Sequence, residues 1–185
     1  MIDHFAQLNQ LRGPWLDGEE LKQTYHELSR SASSDDPGRL PALNEAYRLL
    51  ADPKSRLRHF LELEGIASAS SGSIDPAMAN LFMQAAELTQ RVDSFLVRLN
   101  AATNALTKSF LNADLQEEQQ RTKGLLRELT TGYNNVIEEL RLMSEQETRD
   151  PSSSNVELVE IYQRLSYLSR WIEQLKEKQF QLSIA

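Results

Sequence analysis

From Met78 to Phe110 the apolar side chains Met78, Leu81, Ala85, Leu88, Val92, Phe95, Leu99, Ala102, Leu106 and Phe110 recur three and four positions apart almost without a break. That spacing lays one narrow stripe along a single face of an α-helix, and a stripe this long needs other helices to cover it. Asp75-Pro76 offers a cap followed by a proline at the first helical position, so a helix is expected to begin there and run on through Phe110. Two covering helices follow. Leu115, Thr122, Leu126, Leu129, Tyr133, Val136, Leu140 and Met143 keep the same register. Gly124 and Gly132 each weaken that helix by roughly 1 kcal/mol relative to alanine and mark close helix approaches or bends. Asp150-Pro151-Ser152-Ser153 breaks the chain, and Ser154 with Glu157 forms a capping box for a last helix bearing Leu158, Tyr162, Leu165, Leu168, Ile172 and Leu175. Residues 76–185 are expected to form an antiparallel three-helix bundle.

Shorter helices precede it. Asp17-Gly18-Glu19-Glu20 resembles a capping box, behind which Leu21, Tyr25 and Leu28 share one face until the run from Ser31 to Gly38 ends the helix. Pro41 opens a helix with the stripe Leu43, Ala46, Tyr47 and Leu50; Asp52-Pro53 closes it and starts another, which carries Leu57, Phe60 and Leu61 and stops at Gly65, a natural left-handed cap. Residues 1–66 thus read as a compact helical domain. Residues 67–75, opening Ala-Ser-Ala-Ser-Ser-Gly-Ser, bury almost nothing and read as a linker. No stretch alternates as a strand does, so the fold class is all-α.

Composition removes whole classes of function. The chain has 185 residues and no cysteine, which excludes disulfides, thiolate nucleophiles and cysteine-held zinc or iron–sulfur clusters. A formal charge of -7 argues against a nucleic-acid partner, since phosphate binding draws on Lys and Arg. The basic knot Lys54, Arg56, Arg58 with His59 sits at alternating positions of a helix and is expected to be a solvated face. No window holds the eighteen or so apolar residues of a membrane span, and Met1-Ile2-Asp3-His4 lacks the layout of a secretory signal, so no membrane contact and a cytoplasmic location are expected.

Chemistry-bearing motifs are lacking too. There is no phosphate-binding glycine loop, nucleophile elbow, two-histidine metal helix or paired Glu-x-x-His repeat. His4, His26 and His59 fall in separate elements and are expected to be packed or solvated individually, while Glu117-Glu118 and Glu138-Glu139 read as solvated faces. Neither enzymatic activity nor a cofactor or metal is expected.

The run Leu43-Asn44-Glu45-Ala46-Tyr47-Arg48-Leu49-Leu50-Ala51-Asp52-Pro53-Lys54-Ser55-Arg56-Leu57-Arg58-His59-Phe60-Leu61-Glu62-Leu63-Glu64-Gly65 resembles the third and fourth helices of a J domain of the HscB type, the co-chaperones of iron–sulfur cluster assembly. His4-Phe5 with Leu8 resembles that family's opening helix, Leu21 through Arg30 its second, Leu81 through Leu88 the start of its client-binding bundle, and Tyr162 through Leu168 its last helix. The resemblance implies a J-domain-like antiparallel hairpin joined to a three-helix bundle.

It also exposes a departure. Counted from Tyr25, the family's His-Pro-Asp triad falls on Ser33, Ser34 and Asp35, so only the aspartate remains. In the family this triad and a basic second helix engage a DnaK-type chaperone and trigger ATP hydrolysis. A serine presents no imidazole, loss of the proline frees the backbone, and Glu19, Glu20 and Glu27 outnumber Lys22 and Arg30 on the second helix. The family's client-binding positions fall on Phe82, Met83, Ala86, Glu87 and Gln90, with part of the acidic character gone. The expected function is therefore a non-catalytic J-like co-chaperone or adapter that binds a protein client, such as an iron–sulfur scaffold protein, without stimulating a DnaK-type ATPase. The alternative is a structural bundle acting in dimerisation or complex assembly; the heptads do not fix the oligomeric state.

Overall fold

The computed structural model describes residues 1–32, 36–66, 76–145 and 151–185; the expected linker, residues 67–75, lies outside them. Seven helices and no strand occur among the described residues: α1 (His4–Gln7), α2 (Gly18–Ser31), α3 (Arg39–Ala51), α4 (Pro53–Leu63), α5 (Pro76–Ala101), α6 (Ala105–Ser144) and α7 (Pro151–Ser183). The all-α class and the hairpin-plus-bundle architecture stand. The chain divides into two compact units, one made of Met1–Ser71 with Val136–Leu165, the other of Gly72–Asn135 with Ser166–Ala185. Both long helices, α6 and α7, therefore contribute a segment to each.

In the first unit local capping sets the helix ends. Asp3 Oδ1 accepts from the amides of Phe5 and Ala6 and starts α1, and Asp17 does the same for α2 through Glu19 and Glu20. Asp52 Oδ2 accepts from the Ser55 amide with Pro53 in the first turn of α4. At the other end Gly65 has φ 66°, the Ile66 amide reaches the Leu61 carbonyl and the Gly65 amide reaches that of Glu62, which is a Schellman motif. Helix α3 starts two residues before Pro41, at Arg39, so the proline occupies the first turn rather than its opening position. This costs nothing, because amides of the first turn have no intrahelical acceptor.

Helices α2 and α3 form an antiparallel hairpin. Tyr25 stacks on Tyr47 with ring centroids 4.4 Å apart and donates its hydroxyl to Asn44 Oδ1 at 2.7 Å. Leu21, Leu43, Ala46 and Leu50 form the core between them, and α1 inserts Phe5 and Leu8 into it. Val136, Leu140 and Met143 of α6 and Leu158, Ile161 and Leu165 of α7 are the buried residues of the remaining segments of this unit.

The second unit is a three-helix seam. Ala85, Leu88, Val92, Phe95 and Leu99 of α5, Leu125 and Leu129 of α6, and Leu168, Ile172, Leu175 and Leu182 of α7 are buried. Gly132 marks a helix approach, since a Cβ there would stand 3.7 Å from Leu168 Cδ2. Two further expected boundaries move. Helix α5 ends at Ala101, not beyond Phe110: Asn104 Oδ1 accepts from the Thr107 amide at 2.7 Å and caps a new helix. Leu106 and Phe110 consequently lie on α6, 68% and 73% exposed, off the seam. Helix α7 begins at Pro151, so Ser154 falls inside its first turn instead of capping it.

Candidate partner-binding surfaces

The five sequence-derived positions on α5 divide between two roles. Phe82 is half-buried, its ring 5.5 Å from that of Tyr167 and 6.3 Å from that of Trp171, both on α7. Ala86, four residues on, is half-buried as well. Met83 is 62% exposed, and Glu87 and Gln90, three to four residues apart along the same helix face, are exposed with it. The structure thus gives a flexible thioether and two polar side chains in solvent, backed by an aromatic cluster. Trp171 and Tyr167 completed that cluster without having been singled out in the sequence; their four-residue spacing, which puts both rings on one side of α7, was the available signal.

Beside this stripe a groove of about 410 Å³ opens between α5 and α6, lined by Gln84, Glu87, Leu88 and Arg91 from one helix and Arg121, Gly124, Leu125 and Glu128 from the other. Its arginines are already engaged. Arg91 Nε donates to Glu118 Oε1 at 2.6 Å and its terminal nitrogen lies 3.9 Å from Glu117, which also pairs with Arg121. Glu118 is only 3% exposed, so the expectation of a solvated Glu117-Glu118 face holds for Glu117 alone: the roughly 100° step between adjacent helix positions turns the second carboxylate inward to meet Arg91. Glu118 Oε2 and the fully buried Thr122 hydroxyl, one turn further on, have no hydrogen-bond partner among the described residues.

The basic knot in the first unit also differs from its expected solvated face. Arg58 is exposed, but Arg56 is 3% exposed, donating from Nη1 to the Leu50 carbonyl at 2.8 Å and from Nε to that of Pro14 at 3.3 Å. Its guanidinium ties the α3–α4 turn to the segment before α2 through these two carbonyls. His59 is buried beside His4, ring centroids 4.9 Å apart, so two histidines expected to stand alone are in contact. Burial, then the neighbouring His4, pushes the His59 pKa below its ordinary 6.5, with Arg58 adding to this and Asp3 and Glu62 opposing it.

Ser33, Ser34 and Asp35 lie outside the described residues. On α2 the side chains of Glu19, Glu20, Lys22, Glu27 and Arg30 are all exposed, three acids against two bases, with Gln23 donating to Glu27 at 3.1 Å. Among the described residues no group of three His, Cys, Asp or Glu side chains is arranged to hold a metal ion. No helix there is long and apolar enough to cross a membrane.

No family model matches the chain, and no curated protein matches it in sequence. Among solved structures it is similar to chaperone HscB from Vibrio cholerae, with a TM-score of 0.57 over 98% of this chain and 99% of that one at 18% sequence identity. Over its whole length, then, the polypeptide has an HscB-like fold.

Proposed function

We propose that this chain is a non-catalytic J-domain-like adapter of the cytoplasm that binds a protein client through α5 and does not stimulate a DnaK-type chaperone. The observation that carries the proposal is the α5 stripe, where exposed Met83, Glu87 and Gln90 run beside the Phe82, Tyr167 and Trp171 cluster in a fold shared with a chaperone. A solvated methionine next to aromatic rings suits a protein surface, because the thioether adapts to its partner and the rings supply anchoring area. The acidic balance of α2, with serines at 33 and 34, supports the absence of chaperone stimulation.

An iron–sulfur scaffold protein is the first client to test. Calorimetric titration with it is expected to show binding that Met83→Ala weakens about tenfold, as for a moderate interface anchor. No binding, or equal affinity in the variant, overturns the client assignment. An ATPase assay with a DnaK-type chaperone is expected to show no stimulation, and strong stimulation overturns that half of the proposal. Ser33→His with Ser34→Pro restores the triad; continued silence assigns the defect to the charge of α2 as well.

A second reading, self-association through the bundle, is favoured by one observation: Leu106 and Phe110 stand one turn apart on α6 with their side chains in water. Light scattering of the native chain against Phe110→Glu tests it, and a monomer in both cases disposes of it.

A further inference from the structure

We infer that the groove between α5 and α6 receives a single basic side chain, of lysine or arginine, from a protein partner. This inference rests on the assignment of α5 as a partner-binding helix, and adds to it a second wall and a chemistry. The groove's volume, about 410 Å³, lies in the range of ligand pockets. Its floor is apolar, formed by the nearly buried Leu88 and Leu125. Its depth comes from Gly124, where an added Cβ would meet nothing within 4 Å, so the space a side chain would occupy is open.

Charge then selects the occupant. Arg91 and Arg121 are neutralised by Glu118 and Glu117, and Arg91 is pinned by a short hydrogen bond. Glu87 on one wall and Glu128 on the other are exposed and make no ion pair among the described residues. Two uncompensated carboxylates above an apolar floor complement a long aliphatic stem that ends in a cation, which is the chemistry of lysine and arginine. Glu87 therefore belongs both to the exposed stripe with Met83 and to the groove, so one partner can cover the two together.

The test is a titration of the ¹⁵N-labelled full chain with triarginine amide. Shift changes are expected at the amides of Leu88, Gly124 and Leu125. Glu87→Gln and Glu128→Gln are each expected to weaken binding about threefold, the scale of one exposed ion pair. Gly124→Leu fills the groove while keeping both carboxylates and is expected to abolish binding; because leucine is the better helix former, its melting temperature should not fall. Glu173→Gln, which removes an equal charge from α7, should change nothing. An equal effect from all three carboxylate variants, unaltered binding in Gly124→Leu, or spermine binding the groove as tightly as triarginine each overturns the inference. Binding of the scaffold protein separates this outcome from its parent. Loss in Met83→Ala with none in Gly124→Leu refutes the groove alone, whereas a groove-dependent titration without any scaffold binding refutes the client assignment alone.

Discussion

The backbone N–H of His4 donates to Nε2 of His59 at 3.2 Å, joining the first turn of the chain to α4 across 55 positions of sequence. An imidazole nitrogen accepts only while unprotonated, so this contact requires neutral His59 with its proton on Nδ1. The Phe5 ring stacks on His59 with centroids 5.7 Å apart, and His4 Nδ1 lies 2.9 Å from Gln7 Oε1. The short helix α1 is thereby attached to α4 through a ring that must stay uncharged.

Stability should consequently depend on pH. The folded His59 has a lowered pKa, so between its folded and unfolded values the unfolded chain binds more protons and stability rises with pH. The stabilisation is complete above 6.5, the ordinary value, and is lost as pH falls through the folded value. Asp3 titrates in a different window. Burial raises its pKa, but Arg12 and the amides of Ala6 and Phe5 outweigh this and leave it below 3.8. Thermal melts from pH 7.5 downward should show the loss beginning near 6.5, and His59→Gln should flatten it. Equal pH slopes in the two proteins would refute the role of this ring.

Arg56 makes a larger prediction. Replacing it with methionine keeps the stem but leaves the carbonyls of Leu50 and Pro14 without the donor that now reaches them. Stranding buried acceptors of a charged donor costs about 2–4 kcal/mol. Urea denaturation should show a loss of that size, with Arg56→Lys between the two because an ammonium cannot span both carbonyls as the planar fork does. A loss no greater than that of Arg58→Met, at an exposed position on the same helix, would show that the two bonds contribute nothing.

Thr122 should respond in the opposite direction. Its hydroxyl is buried in the seam and has no hydrogen-bond partner among the described residues, so Thr122→Val removes a desolvated polar group and keeps the shape. A gain of about 1 kcal/mol is expected, measurable as a higher denaturant midpoint at unchanged slope. Destabilisation by the valine would mean that the hydroxyl is satisfied in solution.

These sites also show what the sequence could carry. Asp17, Asp52-Pro53 and Gly65 act on amides and carbonyls within a turn or so of themselves, so their signals are complete locally and the helix ends they mark fall where expected. The end of α5 was hidden because Leu99, Ala102 and Leu106 keep helical spacing across the turn, and the break rests on one asparagine without proline or glycine. Arg56, His59 and Glu118 depart from their expected solvated faces for another reason. Periodicity places a side chain on a face, but only packing decides whether that face meets solvent, and their partners Leu50, His4 and Arg91 come from other elements. Phe82 was legible as a candidate, whereas the Tyr167 and Trp171 rings that hold it lie more than eighty positions away.

The first compact unit leads to a prediction about folding. A stretch of about 65 residues buries only about 60% of the surface its unfolded chain exposes, which leaves a small helical domain marginal by itself. Here Met1–Ser71 form one unit with Val136–Leu165, where Leu140, Ile161 and Leu165 are almost completely buried. Residues 1–66 made alone would lack that segment and lose part of the apolar burial that favours the folded state. The fragment should retain helical circular dichroism but melt at lower temperature and with a smaller enthalpy than the full chain. If it melts at the same temperature, the N-terminal helices are stable on Phe5, Leu21, Leu43 and Leu50 alone, and the α6 and α7 segments add nothing to their stability.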